Sequence, residues 1–426
     1  MTETVRLPEP AEARLRELGT ADVLVGIPSY NNAGTIGHVV RAAAAGLAKH
    51  FPGARAVIVN SDGGSRDGTA EAVAAAEFRT PATILVSHPL SPVHKIVTPY
   101  DGIPGKGSAF RTIFAIAQRL GARACAVVDA DLRSITPEWI ELLVGPVLEQ
   151  DFDFVAPLYL RHKYDGTITN SIVYPLTRAL YGKEVRQPIG GDFGFSGRLA
   201  SHYLTKPVWE SNVARFGIDI WMTSTALADG FKVCQAFLGA KIHDAKDPGS
   251  DLQAMFVQVV SSVFDLMGTY REKWMAVSGA EDVPLFGFPH GVGLEPVRVN
   301  VERMQNIFRQ ASRDLSEIWR EALDEKTLEE VLRLAAPEER PFHFPDPLWV
   351  RLVYDFATAY RRRGLPADQL LGSMVPLYLG RTASFVLETA ESGPEQVEAV
   401  VKGLADEYLR QKGYLLQRWS QEPGGA

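Results

Sequence analysis

At 426 residues the chain is too long for one small core and suits two domains. With 46% hydrophobic and 22% charged residues it has the balance of an ordinary globular protein, and a net charge of -7 at pH 7 argues against a nucleic-acid binder. The two cysteines, Cys125 and Cys234, sit in the apolar runs ARACAVV and FKVCQAF and read as buried free thiols, because two cysteines make no disulfide framework.

The opening stretch MTETVRLPEPAEARLRELG carries acidic residues and no apolar h-region, so no signal peptide is expected. No uninterrupted apolar run approaches the roughly 20 residues of a membrane span. A cytoplasmic enzyme with no membrane or nucleic-acid partner is the default expectation. From about residue 22 to 160 short β-rich runs (VLVGIPSY, AVIVN, ATILVS, ACAVVDA and FDFVAPLYL) alternate with helical stretches such as GTIGHVVRAAAAGLAKHF and GSAFRTIFAIAQRLG. The strands are nearly continuous in apolar character, which suits a sheet covered on both faces, and the alternation predicts βαβ units and a mostly parallel sheet.

Ligands of such sheets bind beyond the carboxyl ends of the strands, which here read PSYNN, NSDGGSRDG and DADLRS. After about residue 285 the texture changes. GAEDVPLFGFPHGVGLEP reads as a linker, and five later segments carry apolar residues at helical spacing, so a domain boundary is expected with residues 1–285 on one side and a helical domain, 286–426, on the other. The QEPGGA tail is expected to be disordered.

Asp129 and Asp131 flank Ala130 where a strand run ends, and alternation in an extended chain points both carboxylates the same way, able to share one cation. Thr136 and Pro137 suit the N-cap and first position of a following helix. The aspartates could also be solvated loop residues or a phosphatase pair, although a phosphatase nucleophile belongs after the first strand of its fold. In PGKGSA a glycine-flanked Lys106 opens a helix, which suits a phosphate; the Walker A spacing is absent, no GxGxxG follows the first strand, and a plain surface turn remains open. Asp62, in NSDGGSRDGT, is placed to accept from a base or ribose, and Asp67 reads as turn chemistry. His243 ends the strand-like run FKVCQAFLGAKI; an imidazole and two carboxylates would make a site for Mn²⁺ or Mg²⁺, and a structural histidine is the alternative.

Taken in order, PSYNN, SDGGSRDGT, PGKGSA, DADLRSITPEWI, QPIGGDFGFS, FGIDIWM and KIHD resemble the retaining GT-A fold glycosyltransferases of the mannosylglycerate and glucosylglycerate synthase type, related to glucosyl-3-phosphoglycerate synthases. The resemblance covers roughly residues 22–250 by motif and the remainder only by helical character. It implies an α/β GT-A domain, Rossmann-like, with a C-terminal all-helical domain and a homo-oligomer formed through the helices. It implies a metal-dependent hexosyltransferase that moves glucose or mannose from GDP- or UDP-hexose to the 2-hydroxyl of D-glycerate, with 3-phosphoglycerate as the alternative acceptor. By the same resemblance Asp131 and His243 are metal ligands, with Asp129 close to metal and ribose. Pro28, Ser29, Asp62, Gly105, Lys106, Gln187, Gly190, Gly191 and Asp192 line the donor site, and Asp219 lines the donor sugar pocket. Arg161 and Thr169, eight residues apart, match the acceptor-binding pair. Asp192 departs from the glutamate of the mannosylglycerate enzymes. A nucleotide-binding scaffold without activity is the contrasting reading from another class, and the intact set of Asp129, Asp131, His243 and Lys106 speaks against it.

Overall fold

The computed structural model describes residues 5–76, 94–99, 105–215, 217–242, 252–291, 297, 299–336 and 341–421. Ten strands appear among them: β1 (Val23–Ser29), β2 (Ala56–Asp62), β3 (His94–Pro99), β4 (Ala124–Val127), β5 (Phe154–Leu160), β6 (Lys183–Glu184), β7 (Phe193–Ser196), β8 (Val233–Ala240), β9 (Glu281–Asp282) and β10 (Leu285–Phe286). The expected strand ATILVS lies outside the described residues, and His94–Pro99 supplies the third strand. Eight strands form one sheet in the order β10-β8-β5-β7-β4-β1-β2-β3, and β6 pairs with β9 separately.

All pairings in the large sheet are parallel except those of β7, which runs antiparallel to both β4 and β5. The apolar character of β1 and β4 follows from burial of every residue, since helices cover both faces. Pro157 is tolerated inside β5 because pairing with β7 stops at Val155, so its missing N–H interrupts no ladder on that side. The expected α/β architecture, a mostly parallel sheet with helices, is the one observed, together with further helices.

The chain divides into two compact units, and the division is not the single boundary near residue 285 expected from composition. The first unit comprises Met1–Leu160, Val185–Ala245 and Val283–Gly293; the second comprises Arg161–Glu184, Lys246–Asp282 and Leu294–Ala426. Part of the glycine- and proline-rich stretch expected to be a linker is β10, paired with β8 at the sheet edge. The helical period marks the later helices of the second unit, but Leu252–Thr269, Tyr174–Tyr181 and the π-turn Thr169–Val173 also belong to it.

In the first unit, β1 lies between β2 and β4, so the chain direction across the sheet switches there and a crevice opens beyond the carboxyl ends of β1 and β4. The expected helix follows β4, spans Pro137–Gln150 with Thr136 at its N-cap, and starts without a side-chain capping bond. In the second unit Trp274, Trp319 and Trp349 are fully buried, and each indole N–H donates to a backbone carbonyl, of Met267, Ser373 and Ser171 respectively. Among the described residues one helix, Ala367–Glu388, is long and apolar enough to cross a membrane by composition, and 72% of its most apolar window is buried inside the protein.

Gly194 in β7 is a packing requirement: a Cβ there would sit 1.9 Å from the backbone oxygen of Leu143 in the covering helix. Gly194→Ala is expected to destabilise by about 1–3 kcal/mol through overpacking. A thermal-denaturation midpoint equal to wild type would contradict this packing.

Candidate active site

Lys106 begins the helix Lys106–Arg119, Asp129 and Asp131 follow β4, Asp192 immediately precedes β7, Asp219 lies in the first turn of Ile218–Ala228, and Lys241 follows β8. The sheet brings these chain-distant ends together at one edge. Asp129 accepts from Lys106 Nζ through Oδ1 at 2.8 Å and from Lys241 Nζ through Oδ2 at 2.7 Å. Lys106 also pairs with Asp219 at 3.2 Å, and Lys241 with Asp192 at 2.7 Å. The result is an alternating row, Asp219–Lys106–Asp129–Lys241–Asp192.

Asp192, at 0% exposure, closes the inner end; it also accepts the Tyr159 hydroxyl and, at 2.7 Å, the Asp129 amide. Lys241 donates further to the Gly190 carbonyl at 2.9 Å and lies 5.3 Å from the centre of the Tyr159 ring. Burial opposes the charge of Lys106, but Asp129 and Asp219 outweigh it and hold the ammonium well above its usual pKa. Burial alone would raise Asp129, whereas Lys106 and Lys241 pull it well below the usual carboxylate range. For Asp192 burial wins and moves the carboxyl upward, with Lys241 pulling the other way. Burial likewise raises Asp219, against the pull of Lys106.

Gly191 is the residue that lets this row close. Its φ is +89°, and a Cβ would lie 2.5 Å from Asp129 Oδ2 and 3.0 Å from Lys241 Nζ. Gly190 is small for another reason, since a Cβ would strike Pro157 Cγ at 2.1 Å.

Asp131 is half-buried, as Asp129 is, but unlike Asp129 it has no hydrogen-bond or ion-pair partner among the described residues. His243 lies outside the described residues. Its neighbour Ile242 is tied to the loop of the two aspartates on both sides: the Arg133 amide donates to the Ile242 carbonyl at 2.9 Å, and the Ile242 amide donates to Ser134 Oγ at 2.9 Å. Among the described residues no group of three potential metal ligands is assembled.

Other expected donor contacts have local occupations. The Asp62 carboxylate accepts from Ser29 Oγ at 3.0 Å, from the Gly64 and Ser65 amides at 2.9 and 2.8 Å, and from Ser65 Oγ at 2.6 Å. It therefore organises its loop, as Asp67 does by accepting from Ala33 and Thr69. Pro28 and Ser29 end β1, and Ser29 also accepts from the Asn60 amide at 2.8 Å. Gln187, buried, spends its side-chain amide on both backbone groups of Tyr159, at 3.1 and 2.8 Å, replacing the strand partner that β5 lacks there. Gly105 and Gly107 are required by the turn Asn212–Ala214: Cβ atoms would meet Ala214 O at 2.5 Å and Val213 O at 1.9 Å. The Gly107 amide donates to Arg215 O at 3.2 Å, so the expectation that this helix start offers its amides to a phosphate is not met at Gly107.

Arg161 and Thr169 belong to the second unit and flank Gly166, where an added Cβ would lie 3.7 Å from Arg161 Nη1 and 3.9 Å from Thr169 Oγ1. The eight-residue spacing thus closes into one local turn. Lys241 and Tyr159 are the site residues that sequence reasoning misses. The available signal is a lysine ending the otherwise apolar β8 run, two residues before His243.

Residues 24–197 match the glycosyl transferase family 2 model. The matched segment runs from β1 through β7 and includes Lys106, Asp129, Asp131, Arg161, Thr169, Gly191 and Asp192, while Asp219 and Lys241 lie beyond it. Among solved structures, glucosyl-3-phosphoglycerate synthase from Mycobacterium tuberculosis in complex with Mn²⁺, UDP and glucosyl-3-phosphoglycerate is 21% identical, with 60% of this chain and 84% of that chain covered and a TM-score of 0.44. The same synthase in complex with Mg²⁺ and UDP is 20% identical over 60% of this chain and 83% of that one, with a TM-score of 0.44. In complex with Mn²⁺, UDP-glucose and phosphoglyceric acid it is 20% identical over 61% and 82%, with a TM-score of 0.43. No curated protein matches the chain significantly.

Lys241→Met would leave Asp192 fully buried with no cation against it. Breaking a buried pair from one side costs about 3–5 kcal/mol, so chemical denaturation should show a loss of that size. Wild-type stability would mean that the row does not hold this edge of the sheet together.

Proposed function

We propose that the chain is a retaining hexosyltransferase that moves glucose or mannose from a GDP- or UDP-hexose to the 2-hydroxyl of a glycerate-type acid, D-glycerate or its 3-phosphate. The observation that carries the reading is the carboxylate–lysine row beyond the ends of β1 and β4, inside and beside the glycosyl transferase family 2 segment, with the Asp131 carboxylate uncommitted among the described residues. A row of fixed charges at the switch point of an α/β sheet suits a diphosphate whose charge grows as a bond breaks.

Lys106 supplies fixed positive charge for the diphosphate oxygens, and Lys241, whose three N–H groups go to Asp129, Asp192 and the Gly190 carbonyl, holds Asp129 in place. Charges positioned before reaction cost no reorganisation during it. Gly191 keeps the backbone close to Asp129, and Asp219 shares Lys106 at the more exposed end of the row. The residues fit a divalent cation at Asp131 with His243, because a hard carboxylate and an imidazole suit Mg²⁺ or Mn²⁺ and Ile242 is fastened to the Asp131 loop. When bound, such an ion supplies Lewis-acid neutralisation of the departing nucleoside diphosphate.

Arg161 orients the acceptor carboxylate and Thr169 an acceptor hydroxyl. Attack comes from the 2-hydroxyl on the leaving-group face, and its proton passes to a diphosphate oxygen. Retention follows without a carboxylate nucleophile. A donor-by-acceptor matrix with Mg²⁺ or Mn²⁺, and NMR assignment of the product anomer, tests this; an inverted product would refute the front-face route, and glycerate-independent donor use would refute the acceptor class.

Asp131→Ala should abolish transfer with an unchanged melting midpoint, because a loop carboxylate with no partner among the described residues adds little stability. Wild-type turnover in that variant would remove its metal role. Arg161→Ala should raise the acceptor KM with little change in the KM for donor, and an unchanged acceptor KM would refute the assignment.

A further inference from the structure

The loop that carries the two aspartates is anchored almost residue by residue. The Val128 amide donates to Gly26 O at 3.0 Å, the Asp129 amide to Asp192 Oδ1 at 2.7 Å, and the Arg133 amide to Ile242 O at 2.9 Å. Ala130 and Leu132, on either side of Asp131, are buried in the core of the first unit. A side chain from a distant segment supplies the anchor in between. Thr35 Oγ1 donates to Ala130 O at 2.8 Å, with Asn32 O further away at 3.4 Å.

Thr35 stands at the N-cap of the helix Ile36–His50, where a threonine oxygen ordinarily accepts from an amide of the first turn. It makes no such bond, so the hydroxyl serves the aspartate loop instead of its own helix. The segment that presents Thr35 is itself fixed by the loop after β2. The Asn31 amide donates to Ser65 Oγ at 2.8 Å, the Asn32 amide to Thr69 Oγ1 at 2.8 Å and the Ala33 amide to Asp67 Oδ2 at 3.0 Å. Asn31 also accepts the Arg66 amide at 3.1 Å, and these bonds hold it in the left-handed region at φ +54°.

We infer that Thr35 is a positioning residue for Asp131: its hydroxyl holds the peptide on which Asp131 is mounted and ties that peptide to the loops after β1 and β2. The inference rests on the assignment of Asp131 to a divalent cation. A peptide unit is planar, so the Ala130 carbonyl oxygen and the Asp131 Cα share one plane. Holding the oxygen therefore fixes the base from which the Asp131 carboxylate projects. Without the hydroxyl the Ala130 carbonyl loses this bond, and the peptide is freed to rotate between the anchors at Asp129 and Arg133.

The test titrates Mn²⁺ into the full chain with UDP present, reading free Mn²⁺ by electron paramagnetic resonance, for wild type, Thr35→Val, Thr35→Ala, Thr35→Ser and Asp131→Ala. Groups that orient a metal ligand are worth about 10–100-fold in metal affinity, so Thr35→Val and Thr35→Ala should each bind Mn²⁺ at least about tenfold more weakly. Thr35→Ser keeps the hydroxyl and should match wild type. UDP binding measured calorimetrically in EDTA should match wild type in all three Thr35 variants. Using two variants without the hydroxyl keeps the test open where one of them fails to fold. Wild-type Mn²⁺ affinity in a folded Thr35→Val or Thr35→Ala protein overturns the inference, and so does an equal loss in Thr35→Ser. Weakened UDP binding in EDTA would put the effect in the nucleotide loops and overturns it as well. Wild-type Mn²⁺ affinity in Asp131→Ala overturns the metal assignment itself, and the inference with it.

Discussion

The first unit is organised around the cost of withdrawing much of Asp129 from water. A carboxylate at the end of a central strand, with Asp192 packed behind it, is tolerable only if cations reach both of its oxygens. Lys106 and Lys241 do so from opposite sides of it in the sequence. Their placement dictates much of the surroundings: Gly191 must lack a side chain, Gly190 must expose its carbonyl, and Tyr159 must turn its hydroxyl onto Asp192. The same arrangement leaves a fixed row of three carboxylates and two ammoniums beside a glycine-lined backbone at the switch point of the sheet.

The two aspartates of DAD divide the work by environment. Asp129 is committed to the lysines, and its role is to hold charge in place. Asp131 stays half-buried without a partner among the described residues, on a loop fastened to Ile242. Among the described residues the Asp131 carboxylate has no partner, in contrast to that of Asp129. The second unit solves a comparable electrostatic problem differently. Lys163 and Lys412 each satisfy three backbone carbonyls with one ammonium, the latter those of Ala179, Trp274 and Val277. In both cases the cation is used as a structural clamp, which removes it from ligand chemistry.

Some residues expected at the donor site also have local structural roles, and these share one physical origin. Gln187, Gly105 and Asp62 have the residue types that donor sites use, and those types also build turns and packing contacts. An amide bonds a sugar hydroxyl or a backbone with equal ease, and Gln187 here completes the edge of β5. A glycine admits a phosphate or a neighbouring chain, and Gly105 and Gly107 admit the turn Asn212–Ala214. Lys241 escapes notice for the converse reason, because a lysine at a strand end usually points to solvent.

The sequence by itself determined the elements whose signal is local. Apolar runs bounded by polar loops gave the strands β1, β2, β4, β5 and β8, Thr136–Pro137 marked a helix start, and the order of motifs marked the loops of the sheet edge where chemistry gathers. Arg161 and Thr169, eight residues apart, meet at one turn around Gly166. Only the tertiary structure decided what depends on contacts between distant segments: the antiparallel insertion of β7 between β4 and β5, the interleaving of the two units along the chain, and the pairing of Lys241 with Asp129 across 112 residues. Local propensity carries no record of such pairs, since the energy that selects them appears only when burial has stripped the water from both charges.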